Sequence, residues 1–266
     1  MFQFINSRLS LGARLTLVSL VFSAPILLLA GLFLAAQVGQ IQLSRKESAG
    51  AAYAQQVWLA MRGKARLAAN DGFGETGAYK AFTAAPEGAA RTAAAVALIG
   101  AVADGSNLTL DPELATFYLA DAAVARAPAL AGAEAALEDA AQRGDHDAML
   151  LARARLVAAN AELQHSLAIA IRQNDDPKVR AALASQVAAL KDAVAQTDHE
   201  AAMVLSGFAF SVPSGEALQA RIDGVFGASR AELQRLLAQR VLRLEMRLAL
   251  HLGAAGVVVA LAAGLA

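Results

Sequence analysis

Arg62, Lys64 and Arg66 crowd into one short basic stretch, and on a helix Arg62 and Arg66 would share a face at i, i+4 spacing. Guanidinium forks pair well with carboxylates. In a dimer this cluster would line a place for a carboxylate ligand; as a solvated basic face it would do no chemistry. Tyr118 and Asp121 lie three apart and could line the same crevice, or serve as core packing and a surface charge.

Other chemistry finds no support. His146, His165, His199 and His251 are far apart in the chain. Asp145-His146-Asp147 fits a helix start with a capping Asp better than a metal site, and neither an HExxH nor a CxxC pattern occurs. Gly72-Phe73-Gly74 lacks the Lys-Ser/Thr ending and the strand-turn-helix setting of a phosphate loop. No catalytic residue, metal or cofactor is assigned, and the chain reads as a non-enzymatic binding protein.

The elements that would position these residues are written around two apolar stretches. From Leu15 to Ala36 the chain reads LTLVSLVFSAPILLLAGLFLAA, and no charge follows Arg14 until Arg45. Roughly 20 apolar residues rising 1.5 Å each match a hydrocarbon core of about 30 Å, which predicts a transmembrane helix. Pro25 is tolerable there because neighbouring groups re-satisfy the freed carbonyl. The run is too long for a signal h-region, so it is expected to be retained. Arg8 and Arg14 favour a cytoplasmic N-terminus. A second uncharged stretch, Leu248 to Ala266, follows Arg247 directly and is expected to return through the membrane. Gly256, Ala260 and Gly264 form a small-xxx-small-xxx-small face on it, suited to close helix packing. The division expected is a cytoplasmic tail 1–14, a span 15–36, an exported helical sensor domain 37–247 and a span 248–266. Because the chain stops there, it is read as a piece of a longer protein.

Composition points the same way. Cysteine is absent, so an exported domain must hold together by packing. Lys+Arg and Asp+Glu both number 23; with Arg8 and Arg14 outside it, the exported stretch carries 21 against 23, or −2. No basic patch suits nucleic acid. Alanine dominates, which favours closely packed helices.

The expected elements are a stalk continuing the first span to Asn70, helices from Ala89 to about Ala103 and from Pro112 to about Gln142 with a kink or split at Pro128, then Asp145 to Asn174 and Pro177 to about Ser206. A break at Ser211-Val212-Pro213 follows, with Ser214 capping the last helix. Asp111-Pro112 and Asp176-Pro177 read as cap-then-proline helix starts. Val179, Leu183, Val187, Leu190 and Val194 form a bundle seam. The fold class is all-α: an elongated antiparallel bundle of about six helices, four-helix-bundle-like, between two transmembrane helices.

Ser106-Asn107-Leu108-Thr109-Leu110-Asp111-Pro112, followed by Phe117-Tyr118-Leu119 and Asp121, resembles the S-N-L-x-L-D-P-x-L-x-x-Y-Y-L-x-D stretch in the exported sensor regions of bacterial chemoreceptors, the methyl-accepting chemotaxis proteins. Similar regions precede histidine kinase and diguanylate cyclase modules. The chain differs from that pattern at Phe117, Ala115 and Ala120. The resemblance implies a homodimer in the inner membrane whose periplasmic helices bind a small molecule or a periplasmic binding protein. Signal would then pass by small displacements of the last helix.

Overall fold

The computed structural model describes residues 11–208 and 215–264. It is all-α, with no strand among the described residues. The expected break at Ser211-Val212-Pro213, the Ser214 cap and most of the N-terminal tail lie outside the described residues.

The chain divides into two units, one made of the chain ends up to Ser44 and from Val241, the other of Arg45–Arg240. In the first unit, helix α1 (Leu11–Met61) runs through Pro25 without interruption. It contains a stretch long and apolar enough to cross a membrane, none of it buried by protein. Phe22 and Leu27 are 69% and 70% exposed, a state that costs free energy in water and none in lipid. Helix α8 (Glu216–Gly264) continues through the second apolar stretch, where the His251 ring meets that of Phe33 edge-on at 5.2 Å.

In the larger unit α1 ends at Met61, nine residues short of the expected Asn70. The stop is chemical. Gly63 adopts a left-handed φ of 67°, its N–H reaches the Ala60 carbonyl, and the Lys64 N–H reaches that of Leu59. This Schellman closure needs a residue without a Cβ penalty. A short helix α2 (Thr76–Ala84) occupies what was expected to be loop. Helix α3 (Ala89–Gly105) follows as expected.

The next helix starts at Leu114, not Pro112, as α4 (Leu114–Ala120). Asp111 accepts the Glu113 N–H at 2.8 Å, but its carboxylate is drawn into a tertiary ion pair described below. The helical run continues through Pro128, but its α-helical bonding is interrupted just before the proline. A π-helical turn, Asp121–Arg126, joins α4 to α5 (Ala127–Arg143), with the Ala127 N–H bonded to the Ala122 carbonyl. The wider turn accommodates a proline that cannot donate to the residue 124 carbonyl.

Asp145 caps α6 (His146–Gln173) by accepting the Ala148 N–H. Asp176 caps α7 (Pro177–Leu205) by accepting those of Lys178 and Val179. Both starts stand as read from the sequence. Short turns make α5, α6 and α7 successive hairpins, and each packs on the next. The α7 seam buries Leu183, Leu190 and Val194, with Val179 and Val187 at its margin. Alanines 95, 103, 123, 127 and 131 are all buried, letting backbones approach closely. The fully buried leucines, each contributing about 1.5–3 kcal/mol of apolar burial, fill the space between.

Within this unit α1 and α8 run antiparallel. Glu47 meets Arg240 at one end and Arg62 meets Asp223 at the other. Trp58 stacks on Phe226 at 4.1 Å between them.

Gly105 makes the tightest approach of a helix to a turn. A Cβ there would strike the carbonyl oxygen of Phe73, which belongs to the 3-10 turn Asp71–Phe73. Backbone cannot rotate aside as a side-chain tip can. Gly105→Ala is expected to cost about 1–3 kcal/mol, read as a lower denaturation midpoint; an unchanged midpoint would mean the turn moves freely.

Candidate functional site

Within the Arg45–Arg240 unit a crevice of about 700 Å³ is walled by the end of α1, the Pro86-Glu87-Gly88 turn, and parts of α3, α5 and α8. The Gly63 stop sets Arg62 at its rim. The Arg62 Nε donates to Asp223 Oδ1 at 2.9 Å, where Trp58 Nε1 also donates at 3.0 Å, while Lys64 Nζ takes Oδ2 at 3.1 Å. The guanidinium lies 5.1 Å from the centre of the Trp58 ring. Its side chain is only 6% exposed, and Nη2 has no hydrogen-bond partner among the described residues.

Arg91, on α3, lines the same crevice. Its Nη2 donates to the Ala85 carbonyl at 3.0 Å and its guanidinium lies 5.5 Å from the centre of the Phe82 ring. On the α5 side stand Glu134, Glu138 and Asp139. Asp139 is bound to Arg143 at 2.7 Å, and Glu138 accepts from Gln142 at 3.2 Å. Glu134 is different. It is 3% exposed, its Oε1 has no hydrogen-bond partner among the described residues, and it presses against Gly215, where a Cβ would collide with it. Burial pushes the Glu134 carboxyl up to about 7, Arg62 opposes the rise, and the charges of Glu138 and Asp223 add to it.

A second charged cluster closes the other end of the unit. Arg240 of α8 donates from Nη2 to Asp111 Oδ1 at 2.8 Å and to Thr116 Oγ1 at 2.6 Å, and from Nη1 to Asp111 Oδ2 at 3.1 Å and Glu47 Oε2 at 3.3 Å. Glu113 Oε2 lies 3.1 Å away. The side chains of Asp111 and Glu47 are 0% and 1% exposed. Burial pushes the Glu47 carboxyl up to about 7, with the Asp111 charge adding, while Arg240 and Asn107 oppose. Burial works against the charge on Arg240, but the Asp111 and Glu113 bonds outweigh it and its pKa is raised.

This cluster explains the Ser106–Asp111 stretch physically. Ser106 is fully buried against Gly50, where a Cβ would overlap the serine hydroxyl. Asn107 takes a left-handed φ of 68°, a region Asn tolerates better than most residues. Leu108 is fully buried, and Asp111 then reaches Arg240. The stretch clasps a loop onto α1 and α8.

The residues singled out from sequence are not gathered into one site. Arg62 lines the crevice, but Arg66, Tyr118 and Asp121 do not. Arg62 and Arg66 share no helical face, because Gly63 ends the helix between them and leaves Arg66 exposed in irregular chain. Tyr118 is half-buried, edge-on to Phe117 at 5.1 Å. Asp121 pairs with Arg126 at 3.0 Å and accepts the Ser166 hydroxyl, tying the π turn to α6. Among the described residues no group of three or more His, Cys, Asp or Glu could hold a metal. Gly256 and Ala260 are exposed on α8, with nothing in the chain within 4 Å of a Cβ built at Gly256. Asp223, Glu134 and Arg240 were absent from the sequence reading, since nothing in their local sequence distinguishes them from ordinary surface charges. In comparison with known proteins, the chain matches no family model, no curated protein and no solved structure.

Proposed function

We propose that the chain is the input region of a transmembrane signal-transduction receptor, a chemoreceptor in the leading reading, or the equivalent region of a histidine kinase or diguanylate cyclase. The observation that carries this is the placement of the crevice, whose wall includes residues of both α1 and α8. A small molecule, or a segment of a periplasmic binding protein, seated there would contact both helices and bias their relative displacement. Packed helices respond by discrete shifts of about 1–2 Å, and a shift in α8 would pass directly along its continuous run to Gly264. In this reading residues 15–36 and 248–266 are two spans of a bacterial inner membrane, the N-terminus is cytoplasmic and residues 37–247 are periplasmic. The chain acts as a homodimer without enzymatic activity or cofactor, with Gly256, Ala260 and Gly264 as the packing face between spans. The resemblance at Ser106–Asp121 supports the same assignment.

A thermal-shift screen of the full chain in lipid nanodiscs, against amines, amino acids and organic acids, tests the proposal. A ligand at 100 times its dissociation constant adds about 2.7 kcal/mol to the folded state, so a concentration-dependent rise in melting temperature is expected. A flat response across the panel would overturn small-molecule sensing and favour a two-span scaffold presenting helices outside the membrane.

A further inference from the structure

We propose that Arg240 is a clasp that exchanges partners with the protonation of Glu47: it holds Asp111 while Glu47 carries a proton, and it is drawn onto Glu47 when that proton leaves, releasing the Asp111–Thr116 segment from α8. The device lies wholly within the Arg45–Arg240 unit and depends neither on the crevice nor on a ligand there.

One guanidinium serves three carboxyls. Arg240 gives Asp111 two bonds, at 2.8 and 3.1 Å, and reaches Glu113 at 3.1 Å, whereas its contact with Glu47 is the longest, at 3.3 Å. Three negative charges against one positive would be costly where two of the carboxyls are out of water, so the fold favours keeping a proton. Glu47 is the group that keeps it. Asp111 has the bidentate bond to the fork, Glu113 is 47% exposed and open to solvent, and Glu47, at 1%, has neither. Burial, with the charges of Asp111 and Glu113 adding, pushes its carboxyl up to about 7 against the pull of Arg240 and Asn107. Those four are the groups that face it: Arg240 from α8, Asp111 and Glu113 from the segment ahead of α4, and Asn107 from the turn after α3.

The second arrangement has its atoms in place. Glu47 Oε1 and Arg240 Nε are both buried and make no hydrogen bond among the described residues, so the cluster holds a spare acceptor and a spare donor. A protonated Glu47 leaves the arginine to Asp111. A charged Glu47 competes for the fork and repels Asp111, and in a buried site both effects are strong. The way each partner is built in decides which one yields. Glu47 and Arg240 lie inside helices of 51 and 49 residues, whereas Asp111 stands between a three-residue 3-10 turn and the seven-residue α4. Leu110 and Leu114 beside it are 72% and 56% exposed, so little apolar packing opposes its release. Ser106 and Leu108, both fully buried, stay as the anchor.

The chain has no cysteine, so a nitroxide attached at Leu110→Cys, an exposed position, reports on the segment in the full chain in nanodiscs. By electron paramagnetic resonance the label is expected to be restrained on the acid side and mobile on the alkaline side, with a midpoint near 7 and no change in Trp58 fluorescence or helix content. Glu47→Gln has no proton to lose, and should abolish the transition and leave the label restrained throughout. Glu113→Gln removes both a like charge and a competitor for Arg240, and should move the midpoint to lower pH, a shift that a merely structural glutamate would not cause. Label mobility that ignores pH in the native chain, or a transition that survives Glu47→Gln, would overturn the exchange. Loss of helix at the same midpoint would show the unit unfolding as a whole and overturn it equally.

Discussion

Arg240→Ala is expected to lower the unfolding free energy by about 3–5 kcal/mol, the usual consequence of removing one partner from a buried ion cluster. The size follows from what would be left behind. Asp111 and Glu47, both inaccessible to water, would lose the guanidinium that pairs with them, and the Thr116 hydroxyl would lose its bond to Nη2. The penalty is the desolvation of those acceptors, more than any intrinsic strength of the pair. Arg240→Lys should cost less, because it keeps the charge but not the fork that engages both Asp111 oxygens. Trp58, the one tryptophan, is buried on Phe226, so its fluorescence through a denaturant titration reports the loss. A decrease below about 1 kcal/mol would mean that the cluster behaves as a solvated surface pair.

The second large effect is on pH dependence. Glu47 and Glu134 are both raised from 4.5 to about 7. Below pH 4.5 each is protonated whether the chain is folded or not, and neither penalises the fold. Between 4.5 and 7 the unfolded chain releases these protons while the folded chain keeps them, so stability falls as pH rises; above 7 the full penalty remains. Each carboxyl contributes a decline on the order of 3 kcal/mol. The two groups belong to separate clusters, so their effects should add. Glu47→Gln is therefore expected to raise the melting temperature at pH 8 and to leave it unchanged near pH 4.5, with Glu134→Gln behaving alike and the double variant showing the sum. Melting curves across this range check it. If Glu47→Gln leaves the slope of stability against pH as it was, Glu47 is not held protonated by the fold.

At pH 8 Glu134 is charged and buried, and its Oε1 has no hydrogen-bond donor among the described residues. The Arg240 clasp fixes α1 against α8 and the Ser106–Asp111 loop at the other end of the unit.

Helix starts and seams were the legible part of this chain. Asp145 and Asp176 cap helices because a carboxylate three residues ahead of an N–H closes the bond within one turn, whatever surrounds it. The α7 seam was legible for the same reason, since its 4-4-3-4 spacing is a property of one helix alone. The early end of α1 also had a local signal, a glycine after Met61-Arg62, which the expectation of a long stalk overlooked. Its consequence was to take Arg66 off the face assigned to it. The start at Leu114 could not be read in this way. Asp111-Pro112 is a sound capping signal, and it was overridden by a cation 129 residues away.

Local chemistry therefore settled the class of fold, most helix limits and the apolar run that can cross a membrane, because helix propensity, capping and hydropathy act over a few residues. Folding chose the ionic partners. Arg62 is matched to Asp223 across 161 residues and Arg240 to Glu47 across 193, and Glu134 Oε1 is left against Gly215 with no donor among the described residues. Whether a charged side chain is solvated, neutralised or stranded depends on which helices pack beside it, and that is a matter of position in space, to which spacing along the chain is blind.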